Sequence, residues 1–338
     1  MKKLINEPHA VVDEMLEGYA SAFPRHVRML PSHKRSIVRT GAGRPGKVGI
    51  VTGGGAGHEP AFMGLIGRGM ADGVAVGNVF ASPPPDPILE VTRAVHGGAG
   101  ILYLYTNYAG DCMNFDMAAE LAGLEGIRVE TVRIADDVAS MPAAQAERRR
   151  GIAGSFLVYK AAGAAADLNL PLEEVVRVAN HAKDRVRTMG VALSPCYMPQ
   201  TGQPSFVLGA QEMEIGLGIH GEPGMLRGDL GTADEVSGIL FDHIAEDMLL
   251  TAGDRVAVLV NGMGATPLMQ LCIVYRHIAK LLSERGVEIH RSYVGEYVTS
   301  LEMGGCSVSI MKLDDELARL IDHPAETAFF AQVQEGLA

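Results

Sequence analysis

The stretch "GKVGIVTGGGAGHEP", residues 46–60, is an apolar segment that runs directly into a set of glycines and ends with a histidine, an acid and a proline. A short apolar run followed by glycines is typical of a buried strand that leads into a tight loop. Gly53 to Gly57 let the backbone turn sharply and bring its N–H groups close to a ligand, and His58 projects from the end of that loop. The stretch therefore predicts a sheet strand with a binding loop at its carboxyl end.

Strand-like and helix-like segments alternate on both sides of this stretch. Apolar strands are predicted within 74–87, 100–111 and 129–140, and helices within 61–70, 87–98, 154–166 and 171–190. Such alternation predicts an α/β layer structure. The pattern changes near Gly190, and 338 residues are too many for one ordinary core. We therefore expect two mixed α/β domains, each a sheet flanked by helices, at residues 1–190 and 191–338.

Composition excludes several classes of function. The formal charge of −11 argues against a nucleic-acid or anionic-membrane surface, and an aromatic content of 5% without Trp argues against a base-stacking platform. The start "MKKLINEPHA" lacks the apolar core of a signal peptide, and no apolar run reaches the length of a membrane span. Four widely separated cysteines predict a reduced, cytoplasmic protein. These are Cys112, Cys196, Cys272 and Cys306.

Two glycine-rich motifs are similar to nucleotide-binding patterns but do not match them. "GAGRPGKV", residues 41–48, has Val48 where a phosphate loop needs Ser or Thr, and it precedes a strand instead of following one. In "GGGAGH", residues 53–58, His58 occupies the third glycine position of a dinucleotide turn. No HExxH or similar metal spacing occurs. The sequence therefore predicts neither a nucleotide cofactor nor a metal in this chain.

Three polar side chains are predicted to follow strands. His58 follows the strand at 46–55, Asp111 ends "ILYLYTNYAGD", and His220 follows "MEIGLGI". The carboxyl ends of strands are where α/β sheets bind their ligands. A single histidine in such a place is usually a structural hydrogen bonder. Three polar groups at three strand exits, two of them flanked by glycines, favour a functional site.

Several long motifs, in order from about residue 1 to 320, resemble the substrate-binding subunit of dihydroxyacetone kinases. They include "GGGAGHEP", "NYAGDCMNFDMAAE", "ADDVAS", "RRGIAGSFLVYKAAGAAA", "EMEIGLGIHGEPG" and "YVTSLEMGGCSVSIMKLDDE". The resemblance implies a phosphotransferase subunit of glycerol metabolism that holds a short-chain ketose. It also implies that a separate ADP/ATP-binding kinase subunit carries the Mg-nucleotide, that the chain alone is inactive, and that it forms a homodimer.

The resemblance implies a role for each of the three polar residues. His220 forms a covalent hemiaminal with the ketone, Asp111 is the general base on the terminal hydroxyl, and His58 is an acid–base or hydrogen-bonding partner. A neutral imidazole nitrogen is a competent nucleophile toward a carbonyl carbon. The implied substrate-binding residues are Gly55, Ala56, Gly57, His58, Thr106, Asp111 and His220.

The sequence departs from the family pattern around this set. Thr106 stands where the family commonly has Lys, and Ala56 and Ala109 replace Ser or Thr. Dihydroxyacetone and a four-carbon ketose such as erythrulose therefore both remain as substrates. A non-catalytic, ketose-sensing coactivator is a further alternative, against which the retention of His58 and Asp111 argues. The phosphoryl donor is either ATP or a phosphotransferase-system protein.

Overall fold

The computed structural model of the chain describes residues 2–333. The chain forms two compact units, and each contains a six-stranded sheet with helices packed against it. The predicted fold class is confirmed. Unit 1 comprises Met1–Ile134, Val158–Ala182 and Arg319–Ala338, and unit 2 comprises Ala135–Leu157 and Lys183–Ala318.

The helices and strands are numbered in chain order. The helices are α1 Val11–Ala22, α2 Pro85–Val95, α3 Ala109–Leu124, α4 Ser155–Asp167, α5 Leu172–Asp184, α6 Ala233–Asp247, α7 Leu268–Glu284 and α8 Asp315–Asp322. The strands are β1 Val27–Leu30, β2 His33–Arg39, β3 Gly49–Ala56, β4 Gly67–Arg68, β5 Gly73–Val79, β6 Ile101–Thr106, β7 Val129–Ile134, β8 Val186–Ser194, β9 Glu212–Ile215, β10 Leu226–Asp229, β11 Arg255–Gly262, β12 Glu288–Gly295, β13 Gly304–Leu313, β14 Ala325–Thr327 and β15 Ala331–Gln332. Two 3₁₀ helices span Met63–Leu65 and Ala143–Arg148.

The main sheet of unit 1 has the strand order β1-β2-β5-β3-β6-β7. β5, β3, β6 and β7 run parallel, while β1 and β2 pair antiparallel at one edge. Every residue of β3 is buried, as expected for a parallel strand covered on both faces. Phe115 of α3 packs on Tyr105 of β6, and Tyr159 of α4 bonds to Thr52 of β3 at 2.6 Å. Helices thus hold the strand that carries the glycines.

The sheet of unit 2 has the order β10-β9-β8-β13-β11-β12. Within this sheet β11 and β12 are parallel, and the other pairs are antiparallel. α6 and α7 contribute Leu240, Ile244 and Ile278 to one apolar core with β8, β11 and β13. α6 begins with a capping box, in which Thr232 and Glu235 each bond the other's backbone N–H.

The units divide the chain at places other than the predicted boundary at residues 190 and 191. β8, Val186–Ser194, crosses that boundary and pairs with β13 inside unit 2. The segment Arg319–Ala338 belongs to unit 1, where β14 pairs with β4. Both assignments depend on pairing between strands far apart in the chain, which a local change of pattern does not reveal.

Two predicted helices differ from the structure. The segment 61–70 forms a 3₁₀ turn, Met63–Leu65, followed by β4, because its glycines at 64, 67 and 69 weaken a regular helix. The helix predicted over 171–190 ends at Asp184, and β8 begins two residues later. The helix predicted over 154–166 is confirmed as α4.

The lysine of "GAGRPGKV" has a structural role inside unit 1. Lys47 is buried at the entrance to β3, and its Nζ donates to Asp72 at 2.6 Å. Asp72 also accepts from the Ile50 N–H at 2.9 Å and from Arg39 at 2.5 Å. Burial lowers the pKa of Lys47, although the Asp72 carboxylate acts against that shift. The lysine therefore anchors β3 through a buried ion pair.

We expect Asp72→Ala to destabilise the protein strongly, because it leaves the Lys47 ammonium buried without its carboxylate. Removing one partner of a buried ion pair costs about 3–5 kcal/mol. Lys47→Met should cost less, since Asp72 keeps Arg39. Urea unfolding followed by circular dichroism measures the free energy of unfolding of both variants. The double variant should lose less of this free energy than the sum of the two single losses. Equal losses for the two single variants would contradict this account.

Candidate active site

The centre of the unit 1 sheet is a topological switch point. β3 and β6 are parallel neighbours, but the chain leaves β3 toward β5 on one side and leaves β6 toward β7 on the other. Connections that diverge in this way open a crevice at the carboxyl ends of the two strands, where such sheets bind ligands. His58 follows β3 and Asp111 follows β6. The topology therefore brings both residues to the same crevice.

The glycines of β3 are needed for close packing. A side chain at Gly53 would meet the Phe115 ring at 3.0 Å, and one at Gly55 would lie 2.6 Å from the Ala81 backbone nitrogen. A side chain at Gly54 would overlap Phe62. The loop predicted from Gly53 onward begins later than expected, since β3 continues to Ala56 and the left-handed turn comes at Gly57, with φ +99°. The run of glycines resembles a loop in sequence but forms a crowded strand.

His58 is buried in an aromatic setting. Its ring stacks on Phe80, with centroids 4.9 Å apart and an interplanar angle of 21°, and Phe62 meets it edge-on at 6.3 Å. Only 1% of the residue is exposed. The Gly57 N–H donates to both Glu59 carboxylate oxygens, at 3.0 and 3.1 Å. Burial nevertheless raises the pKa of Glu59 above its ordinary value.

Asp111 lies in the first turn of α3 and not at the end of a strand. β6 ends at Thr106, and α3 begins at Ala109. The predicted strand 100–111 was therefore too long, because "NYAGD" starts the next helix. The positive end of the helix dipole favours an ionised carboxylate at this position. Asp111 is 7% exposed and Thr106 is 1% exposed, whereas Ala109 is exposed.

The loop after β5, residues 80–84, packs against both sides of this crevice. Phe80 stacks on His58, and Ser82 lies against Gly110, where a side chain would come within 3.3 Å of its Cβ. The Asn114 amide of α3 donates to the Ser82 hydroxyl at 3.1 Å. No motif in the sequence indicated Ser82. The prolines that follow it mark the loop, but only the fold places the serine beside the first turn of α3.

His220 lies in unit 2, in the loop between β9 and β10, and not directly after a strand as predicted, because β9 ends at Ile215. Its Nδ1 is 2.9 Å from Glu222 Oε1, and its backbone N–H donates to Glu222 Oε2, also at 2.9 Å. The Ser300 hydroxyl donates to the carbonyl of Ile219. Glu222 was missed as a functional candidate, although its place two residues after His220 in "IHGEPG" is the signal that could have indicated it. One carboxylate thus holds both the ring and the backbone of the histidine.

Other motifs noted in the sequence support the same loop. Arg150, from "RRGIAGS", donates to the carbonyl of Gly216 at 2.9 Å and pairs with Asp137, from "ADDVAS", at 2.8 Å. Glu214 of β9 accepts from the Gly224 N–H at 2.7 Å. Both ends of the loop that carries His220 are therefore held by charged side chains of unit 2.

The predicted site residues fall into two groups. The structure gathers Gly55, Ala56, Gly57, His58, Thr106 and Asp111 around the crevice of unit 1, and it places His220 in unit 2. Among residues 2–333, no set of three or more His, Cys, Asp or Glu side chains is arranged to hold a metal ion. In the same range, no helix has the length and apolarity needed to cross a bilayer.

Comparison with known proteins assigns this fold and these motifs to one family. The Dak1 domain model matches residues 17–329. The chain belongs to the Dak1 domain family. The resemblance predicted from the sequence motifs is confirmed, because the match spans most of the chain.

Individual relatives and one solved structure agree with this assignment. The chain is 46% identical to the dihydroxyacetone-binding subunit of PTS-dependent dihydroxyacetone kinase 2 of Listeria innocua, over 98% of this chain and 99% of the relative. It is 44% identical to a D-erythrulose kinase of Mycolicibacterium smegmatis, over 97% of this chain but 56% of that protein. The crystal structure of the C. freundii dihydroxyacetone kinase matches with a TM-score of 0.91 at 32% identity, over 99% of this chain and 61% of that one.

We expect the Glu222 carboxylate to stabilise unit 2 only while it is ionised. Burial raises its pKa, but the hydrogen bond and charge of His220 outweigh burial and bring the pKa to about 2, below the ordinary 4.5. Its contribution is therefore complete above about pH 4.5 and is lost as the pH falls toward 2. The gap in unfolding free energy between the wild type and Glu222→Gln, from urea titrations between pH 7 and 3, should shrink as the pH falls. A gap that widens in acid would contradict this.

Proposed function

We propose that the chain is the ketose-binding subunit of a dihydroxyacetone kinase, active with a separate nucleotide-binding subunit. The supporting observation is that an acid and a histidine, Asp111 and His58, follow the two diverging strands of a switch-point sheet. Similarity to the Listeria innocua subunit over nearly the whole of both chains supports the same function. The binding site takes a small neutral ketose, which agrees with the negative charge of the chain and its lack of a phosphate loop.

In this proposal His220 attaches the substrate. The neutral imidazole adds through Nε2 to the ketone carbon, forming a hemiaminal, and selects ketones over glycerol, which has no carbonyl. Attachment positions the substrate, and holding a reactant in place lowers the barrier without itself transferring phosphate. His58 then serves as a hydrogen-bonding or acid–base partner, positioned by its stack on Phe80.

Asp111 is proposed as the general base for the terminal hydroxyl. An ionised carboxylate at a helix N-terminus can accept the hydroxyl proton as the oxygen attacks the phosphoryl group. The partner subunit supplies the phosphoryl group and carries the nucleotide with its magnesium. A phosphotransferase-system protein or ATP recharges that partner. Homodimer formation and a cytoplasmic location remain predictions.

The non-catalytic alternative to a kinase subunit is a ketose-sensing coactivator with the same fold. Such a protein needs a ketose site but has no need of a base for the terminal hydroxyl. The buried position of His58 and the helix N-terminal position of Asp111 both support the kinase.

We expect Asp111→Asn to lower turnover with the partner subunit by about 10²–10⁴-fold, the usual contribution of a general base. The amide keeps the shape of the side chain, so the fold and ketose attachment should be retained. Asp116→Asn is the matched control, because Asp116 lies on the same helix and pairs with Arg133. Near-normal turnover of Asp111→Asn would move the base role to His58.

A four-carbon ketose is the second candidate substrate. Thr106 and Ala56 are small, buried residues at the crevice, and a D-erythrulose kinase is 44% identical over this chain. A larger ketose needs additional volume for its extra hydroxymethyl group. Ala109 contributes nothing to this argument, because it is exposed at the start of α3.

Competition between dihydroxyacetone and both erythrulose enantiomers, with the partner subunit present, separates these substrates. If the small residues make room, kcat/KM should favour one erythrulose enantiomer, and Thr106→Lys should shift the ratio toward dihydroxyacetone. A wild-type preference for dihydroxyacetone of tenfold or more, about 1.4 kcal/mol, would end the four-carbon proposal.

A further inference from the structure

We propose that Glu222 is a positioning residue that holds the His220 ring with its proton on Nδ1 and so keeps the lone pair on Nε2, the nitrogen of the proposed attachment. This inference rests on the proposed covalent role of His220. It assigns to one side chain the tautomer that this attachment requires.

The hydrogen-bond pattern of Glu222 carries the inference. Oε2 accepts from the His220 backbone N–H and Oε1 faces the ring Nδ1, both at 2.9 Å. An ionised carboxylate has only acceptor sites. The atom that faces Oε1 must therefore be a donor, so Nδ1 carries the proton. In the neutral imidazole, Nε2 then has the lone pair that a nucleophile needs.

The surrounding backbone leaves Glu222 little freedom to move. The Gly218 N–H donates to the Glu222 carbonyl at 3.0 Å, and the Gly221 N–H donates to the Gly218 carbonyl at 3.0 Å. A side chain at Gly218 would overlap Glu222 Oε2 and would lie 2.7 Å from Arg150 Nη1. The glycine therefore makes the space that the carboxylate occupies.

The same contact stabilises the product of attachment. As the Nε2–carbon bond forms, the carbonyl π pair moves to oxygen, which takes a proton from an acid in the solvent, and the conjugate base of that acid remains in solution. The ring becomes an Nε2-substituted imidazolium that keeps its Nδ1 proton, and the adjacent Glu222 carboxylate balances the new positive charge. Glu222 thus favours both the reactive tautomer and the adduct.

Glu222→Gln separates these effects from simple packing. A glutamine has one acceptor and one donor where glutamate has two acceptors. If the glutamine oxygen keeps the hydrogen bond from the His220 backbone N–H, the glutamine NH₂ group must donate to Nδ1. The ring proton then moves to Nε2. The residue keeps its size and one of its two bonds, but the nucleophilic nitrogen is lost.

The test measures ketose adduct formation and the His220 tautomer in the intact chain. We expect Glu222→Gln to lower the adduct formed at a fixed dihydroxyacetone concentration by about tenfold or more, by analogy with the losses of about 10–100-fold seen when the hydrogen-bond partners of metal-binding histidines are changed. In ¹⁵N-histidine spectra of the free protein, the wild type should show a protonated Nδ1 and an unprotonated Nε2 for His220. Glu222→Gln should reverse this assignment.

Two further variants act as comparison and control. Gly218→Ala should reproduce the loss of adduct, because its methyl group displaces the carboxylate while Glu222 itself remains. Glu214→Gln is the matched control, since Glu214 accepts from the Gly224 N–H of the same loop and a glutamine keeps an acceptor oxygen for that bond. We expect its adduct level and spectrum to equal those of the wild type.

The outcomes distinguish this inference from the proposed function. The positioning role is overturned, and the proposed function is left intact, if the wild type forms the adduct and Glu222→Gln shows the same adduct level and the same tautomer. No adduct in the wild type would reject the covalent role of His220. If circular dichroism shows that Glu222→Gln does not fold, Gly218→Ala tests the inference instead. A normal adduct level in Gly218→Ala would then overturn the positioning role of Glu222.

Discussion

Unit 1 depends on the absence of side chains at the end of β3. Phe115 of α3, Phe62 and the backbone of Ala81 occupy the space beside Gly53, Gly54 and Gly55. Because these contacts are closer than a Cβ permits, they set the position of α3 and of the loop after β5. α3 carries Asp111, and the loop brings Phe80 onto the His58 ring. Close packing at three glycines thus determines where the polar groups of the crevice lie.

In unit 2, charged side chains position the loop that carries His220. The loop that carries His220 buries Leu217 and Ile219, and Glu214, Arg150 and Glu222 hold its polar part through hydrogen bonds to backbone and ring atoms. These groups explain why "ADDVAS" and "RRGIAGS" accompany the histidine motif in the sequence, although they lie far from it along the chain. For the proposed attachment, His220 needs a defined tautomer as well as a defined place, and we propose that Glu222, two residues away, supplies both.

The sequence predicted the α/β class and the exit of β3, because strand periodicity is a local signal, whereas the roles of His58, Asp111 and His220 stay predictions that rest on long motifs. It placed Asp111 at a strand end, since "NYAGD" gives no sign that a helix begins at Ala109. It also missed Ser82 and Glu222. Ser82 approaches α3 only through the crossover from β5, and Glu222 acts through a side-chain geometry that spacing does not show. The unit boundaries could not be predicted from local sequence patterns, because β8 and β14 pair with strands that are distant in the sequence.

The central claim is that His220 holds the ketose through a covalent bond. Intact-protein mass spectrometry of the chain with dihydroxyacetone or erythrulose, followed by peptide mapping, tests it most directly. The account predicts one added ketose per chain with no loss of water, as a hemiaminal requires, located on the peptide that contains His220 and absent from His220→Ala. An increment that persists in His220→Ala, or one reduced by a water molecule and located on a lysine, would contradict it.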